Sequence, residues 1–209
     1  DIGPFTLTAP TSWQPLPSPS PSLLRWAEPG ALPELPAQAD ERILQKALAT
    51  SDAPWKLVVS SMPLSLPKPG GETLLPHGEV TAVMDGWASG ESATGYETEL
   101  LDLLEGLAEA DIQGLVFLCG DVHFAAGLRH RPFPKRHPAF RFYELIAGPL
   151  QAGLGAPIAP DATLRPRSLF RHVARRSPES FEKAKHFFNA GLLHVTSPSD
   201  AQVLVVNAY

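Results

Sequence analysis

The chain has 209 residues, of which 44% are hydrophobic, a formal charge of −5 and a pI near 5.8. That acidic balance argues against nucleic-acid binding, which draws on a basic surface, and no apolar run is long enough to span a bilayer. The single Cys119 excludes an internal disulfide. The N-terminal DIGPFTLTAP has neither the basic nor the apolar region of a signal peptide. Without an initiator Met, the chain reads as processed, cropped or fragmented.

Residues 1–38 hold many of the 23 prolines and lack periodicity. Each proline removes a backbone donor and fixes φ, so this stretch reads as an extended connector, pinned by Trp13, Leu23, Leu24 and Trp26. From Ala39 the pattern changes. Ile43, Leu44, Ala47 and Leu48 form one helical stripe, with Asp40 and Glu41 at its positive end. After Pro54, residues 55–61 read as a strand rich in β-branched residues, and Pro63 to Gly71 as a loop.

A further loop, residues 76–95, carries His77, Asp85, Trp87 and Glu91. Thr94 and Glu97 have capping-box spacing ahead of Leu100, Leu101, Leu103, Leu104 and Leu107, which predict a helix to about Asp111. Leu115–Cys119 is a continuous apolar run bounded by Gly120, the pattern of a strand buried on both faces. Strand, loop, helix and strand form a crossover unit that lays strands 56–61 and 115–119 in one sheet.

Pro132, Pro134 and Pro138 mark another loop, Phe140–Ile146 alternates like a strand, and Gly148-Pro149 ends it. Residues 150–176 are Pro- and Arg-rich without clear period. Ser177-Pro178 has the form of an N-cap and first helical turn for a short helix reaching about Phe188. Residues 192–196 and 202–206 flank a polar turn as a hairpin.

Asp121 and His123 follow the buried run one residue apart, at the strand's C-terminal end, where open α/β sheets place ligands. Gly120 is expected to let the backbone leave the strand sharply. A carboxylate can bridge two cations and a neutral imidazole suits transition metals, so the pair reads as metal ligands. The competing reading is a turn-capping Asp and a His satisfied by a carbonyl. Two ligands cannot hold a dinuclear centre; His77, Asp85 and Glu144 are candidate additions, each with an ordinary alternative as a loop, turn or strand-face residue. Two basic stretches, at 128–138 and 165–176, would suit phosphate near a metal because Arg offers a bidentate fork; such runs are more often solvated or paired with acidic neighbours.

In order along the chain, APWKLVVSS (53–61), Asp85-Gly86-Trp87 with Gly95-Tyr96 and Glu99, GDVH (120–123), FYELIAGPLQAG (142–153) and FFNAGLLHVTS (187–197) resemble the PhoD-like metallophosphatases. Residues 88–94 interrupt the family's Trp-to-Gly-Tyr spacing, and Leu100 stands where the family has Arg. The resemblance implies an α/β fold, half of a metallophosphoesterase-type αββα sandwich spanning residues 39–209, with a C-terminal β-hairpin. It implies hydrolysis of a phosphate ester at a dinuclear metal centre (iron with calcium, or other divalent metals).

Asp121 and His123 are carried over as catalytic metal ligands, and Asp85, Trp87 and Tyr96 as substrate-side residues. Nothing here matches the family's N-terminal Asp-x-x-Tyr and Asn-His ligands, so the chain is expected to be the C-terminal half, partnered by the N-terminal half of the same enzyme. Two alternatives stand beside this: a phospholipase D-type diesterase on the same scaffold, and a non-catalytic interaction module with a degenerate site. The family implies an extracytoplasmic compartment; a cytoplasmic one fits the composition equally.

Overall fold

The computed structural model describes residues 14–16, 25–27, 41–67, 69–74, 80–84, 87–88, 97–197 and 200–208. In chain order the elements are β1 (Gln14–Leu16), β2 (Arg25–Ala27), α1 (Glu41–Thr50), β3 (Lys56–Ser60), β4 (Pro69–Leu74), β5 (Val80–Met84), α2 (Glu97–Glu109), β6 (Leu115–Cys119), β7 (Ala125–His130), β8 (Phe142–Ile146), β9 (Arg167–His172), α3 (Phe181–Ala184), β10 (Asn189–Ser197) and β11 (Asp200–Asn207). They make a mixed α/β structure. Its centre is a five-stranded sheet in the order β3-β6-β8-β7-β9, accompanied by the β10-β11 hairpin and two further two-stranded ladders. No helix among the described residues is long and apolar enough to cross a membrane.

The parallel part of the sheet follows the expected crossover. β3 lies beside β6 in register from Lys56↔Leu115 to Ser60↔Cys119, and β8 lies parallel on β6's other side. Leu115, Val116 and Phe117 are all buried, as a strand covered on both faces requires. α2 buries Leu100, Leu103, Leu104, Leu107 and Ala108, the helical stripe its leucines predicted. Leu100, the residue at the family's Arg position, is therefore a core residue here, 1% exposed.

Three features depart from the sequence reading. β7 and β9 run where loop and aperiodic text were expected, and β4 pairs antiparallel with β5 inside the stretch read as loops. β7 begins Ala-Ala-Gly, a weak strand signal, because the Phe170 ring of β9 occupies the space over Gly127. The short helix α3 is capped by Ser180, whose side chain accepts from the Lys183 N–H, rather than by Ser177. The hairpin is as expected but longer. Thr94 of the capping box lies outside the described residues, as does most of the 1–38 segment.

The packed face of the sheet has a polar centre. Glu144 of β8 is wholly buried. Its Oε1 accepts from the backbone N–H of Leu64 at 2.6 Å and of Ser65 at 3.3 Å. Its Oε2 accepts from the Ser65 hydroxyl at 2.5 Å and lies 2.9 Å from His130 Nε2 on β7. The His130 ring stacks on Phe142 with centroids 4.6 Å apart. One carboxylate thus ties the loop after β3 to β7 and β8. Glu144→Ala should strip these donors of their acceptor in a dry site and lower stability by about 3 kcal/mol. For a chain of this size that is a fall of roughly 6–12 °C in Tm. Thermal unfolding followed by circular dichroism checks it; a loss under about 1 kcal/mol would show that the clamp carries no weight.

Candidate functional site

Because β3, β6 and β8 are parallel, the segments that follow them emerge at one edge of the sheet. Residues 120–124 leave β6 there, pass the end of β8 and enter β7, which runs back antiparallel beside β8. The sharp exit does not use Gly120. The left-handed residues are instead Asp121 at φ 70° and His123 at φ 60°, with the Val122 N–H bonded to the Gly120 carbonyl at 2.9 Å. Asp and His are among the side chains that tolerate this region, yet two such residues around a β-branched one store strain. Strain of that kind persists only where the surroundings hold it.

The surroundings are residues 147–158. The Ala147 N–H bonds the Cys119 carbonyl at 3.2 Å, and the Gly155 N–H bonds the His123 carbonyl at 3.1 Å. The His123 ring nitrogen Nδ1 lies 2.5 Å from the Gly153 carbonyl oxygen. A Cβ on Gly155 would overlap the Val122 carbonyl oxygen, so this close approach needs glycine. Arg171 secures the segment by donating to the Ile158 carbonyl at 2.7 Å while its guanidinium lies over the Phe124 ring at 5.6 Å. At the other end, Asn189 is buried and brackets Gly148, accepting from its N–H at 2.9 Å and donating to its carbonyl at 2.8 Å.

The Gly153 contact settles the histidine's chemistry. A carbonyl only accepts, so Nδ1 is the donor, and a ring protonated there alone presents a bare Nε2, the form a metal takes. His123 is half-buried and Asp121 exposed. The donor set therefore suits a metal as far as it goes. Among the described residues no group of three or more His, Cys, Asp or Glu side chains gathers to complete one.

Other candidates are placed elsewhere. Glu144 is consumed by the buried clamp and cannot reach a metal. Trp87 is half-buried and packs against the core. His77, Asp85, Glu91 and Tyr96 lie outside the described residues. Burial pushes the Cys119 thiol up, and the Glu144 carboxylate adds to the rise against a lowering backbone hydrogen bond at Leu64. The sulfur thus stays a protonated thiol. A cavity of about 370 Å³ reaches Cys119 and Gly120 from the hairpin side, but Val59, Leu118, Leu145, Leu193 and Val203 make its walls apolar. It suits packing, not a phosphate.

The model of the PhoD-like phosphatase family matches residues 36–197, well over half the chain. The chain belongs to the PhoD-like phosphatase family. Comparison with curated proteins gives no match, and neither does comparison with solved structures. Two stretches that carry the family resemblance, FYELIAGPLQAG and FFNAGLLHVTS, meet in space through the Asn189–Gly148 bonds, which gives both a shared structural purpose. Nothing in the linear pattern marked Gly153, Gly155 or Arg171 as supports of His123. The signal that could have found them is a Gly-x-Gly after a strand end, a place for close backbone approach.

Gly155→Ala should force Val122 aside and cost about 2 kcal/mol in chemical denaturation, as overpacking does. Gly153→Ala, with nothing near where its Cβ would sit, should stay within about 0.5 kcal/mol of wild type. Equal effects would refute the close-packing account of this segment.

Proposed function

We propose that this PhoD-like phosphatase chain is a metal-dependent phosphoester hydrolase whose Asp121 and His123 supply metal ligands. The observation that carries the reading is the Nδ1–Gly153 contact, which orients the imidazole and leaves Nε2 as a ligand atom on a loop that follows the central strand. Asp121 and His123 would hold a metal, which when bound would lower the pKa of water and offset phosphoryl charge. The chain's own contribution is positional. The bonds at Gly153 and Gly155 restrain His123, and Asp121, two residues before it in left-handed backbone, would be the second ligand. The centre is dinuclear in this reading, with iron and calcium or other divalent metals. By resemblance, Asp85, Trp87 and Tyr96 are the substrate-side residues of this reading.

In the complete enzyme, Asp121→Asn and His123→Ala should each lower kcat/KM by at least about 100-fold and remove stoichiometric metal measured by elemental analysis. Retained metal and activity in both variants would favour a degenerate interaction module instead. Substrate profiling with a phosphomonoester, a phosphodiester and phosphatidylcholine separates phosphatase from phospholipase D-type activity.

The same reading makes this chain half of an αββα sandwich, residues 39–209, after a connector at 1–38. Two observations support it: among the described residues no third donor gathers with Asp121 and His123, and the sheet's second face is only partly covered. Leu57 is 47% and Val59 81% exposed on β3, whereas strands of a parallel sheet are ordinarily covered on both sides. The occupant of that face would be the N-terminal half of the enzyme, bringing the remaining ligands. The isolated 209 residues should then show no turnover of p-nitrophenyl phosphate with added metals. Robust turnover from them would sink the half-enzyme reading.

A further inference from the structure

We infer that Arg175 and Arg176 form an anion subsite that selects phosphoesters carrying a second anionic group beyond the scissile phosphate. The inference rests on the phosphoester-hydrolase reading above and starts from topology. β9 is antiparallel to β7, β7 is antiparallel to β8, and β8 is parallel to β6. The C-terminal end of β9 therefore arrives at the edge that holds Asp121 and His123, with His172 opposite Ala125. The basic stretch is divided by this geometry. Arg167 pairs with Arg129 at the far end of the sheet, while Arg175 and Arg176 continue past the near end.

There the chain forms one wall of a trough whose other wall is the segment that positions His123. A small cavity of about 50 Å³ separates Leu154–Pro157 from Ala174–Ser177. It shares Leu154 and Ser177 with a space of about 430 Å³ bounded also by Ala152 and Gly153. It shares Ala174, Arg175, Arg176 and Ser177 with one of about 260 Å³ that Glu179 and Lys183 also line. The trough is thus bordered on one side by the segment whose glycines bond His123 and on the other by Arg175 and Arg176.

The charges within it do not cancel. Lys183 is held by Glu179 at 2.6 Å, and Glu179 is the only carboxylate among the described residues lining the three cavities. Arg136 pairs with Glu105, Arg131 donates to the Pro138 carbonyl and Arg171 to that of Ile158. Arg175 and Arg176 are exposed and make no hydrogen bond or ion pair with the described residues. Two adjacent guanidiniums with unused donor forks match the oxygens of a phosphate or carboxylate better than they match solvent alone. A phosphoester whose scissile group sits at His123 would lay its remaining substituent along this trough.

The test has an equilibrium arm and a kinetic arm, both on the complete, metal-loaded enzyme. Calorimetric titration with inorganic pyrophosphate at low salt, where exposed charges are least screened, should show Arg175→Gln/Arg176→Gln binding about tenfold more weakly than wild type. Arg175→Lys/Arg176→Lys should recover part of the loss, and Lys46→Gln on α1 should bind as wild type does. Equal affinity in wild type and the glutamine variant overturns the subsite; an equal loss in Lys46→Gln overturns it in favour of a diffuse field. In the kinetic arm, the KM advantage of glucose 1,6-bisphosphate over glucose 1-phosphate should fall from about tenfold to near unity in the glutamine variant, with the kcat ratio unmoved. An unchanged KM ratio overturns the inference. Absence of phosphate release from wild type would refute the hydrolase reading instead, and the pyrophosphate titration would still decide the subsite.

Discussion

The buried carboxylate of Glu144 ties the loop after β3 to the paired strands β7 and β8. A charge with no exposure is tolerable only when its lone pairs are filled, and here they are filled from the loop after β3 and from β7. The consequence reaches beyond the core. Ser65, which donates to Glu144, also accepts at its carbonyl from the Asp161 N–H at 2.7 Å. Asp161 ends the segment that begins at Gly153 and Gly155, the supports of His123. The polar centre of the packed face is thereby connected to the edge where the candidate ligands stand.

At that edge, the work is divided between strain and its restraint. Asp121 and His123 occupy left-handed backbone that costs of order 1–3 kcal/mol per residue. They are held by a segment anchored at Gly148 through Asn189 and at Ile158 through Arg171. A histidine so fixed loses little freedom when it binds a cation, which is the physical value of support behind a ligand. The same segment has a second face toward Arg175 and Arg176, so one strip of backbone can serve both the reacting group and the part of the substrate that does not react.

The legible parts of the fold were those with a strong one-dimensional period. α1, α2, β3, β6 and the terminal hairpin each repeat apolar residues at the spacing of their own geometry, and each lies close to where that spacing placed it. β7 and β9 were not legible. β7 is buried along almost its whole length, so no alternation exists to read, and its small residues exist to accommodate the ring of Phe170. β9 is an edge strand in which Arg167, Ser168, Leu169 and Arg171 are exposed, a mixed pattern that a linear reading takes for loop. Glu144 had the look of an available carboxylate because alternation along β8 says which face a residue occupies, not what waits there.

By itself, the sequence determined the class of protein, through ordered motifs that agree with the match to the PhoD-like phosphatase family. It also placed Asp121 and His123 just past a strand end, since the apolar run Leu115–Cys119 stops at Gly120, and β6 ends there. Tertiary structure alone decided which nitrogen of His123 is free, which glycine its backbone needs, and which arginines reach its edge. Those are relations between residues 30 to 53 positions apart, set by strand order and by the direction of β9. A one-dimensional pattern carries spacing along the chain, and these properties arise from spacing across it.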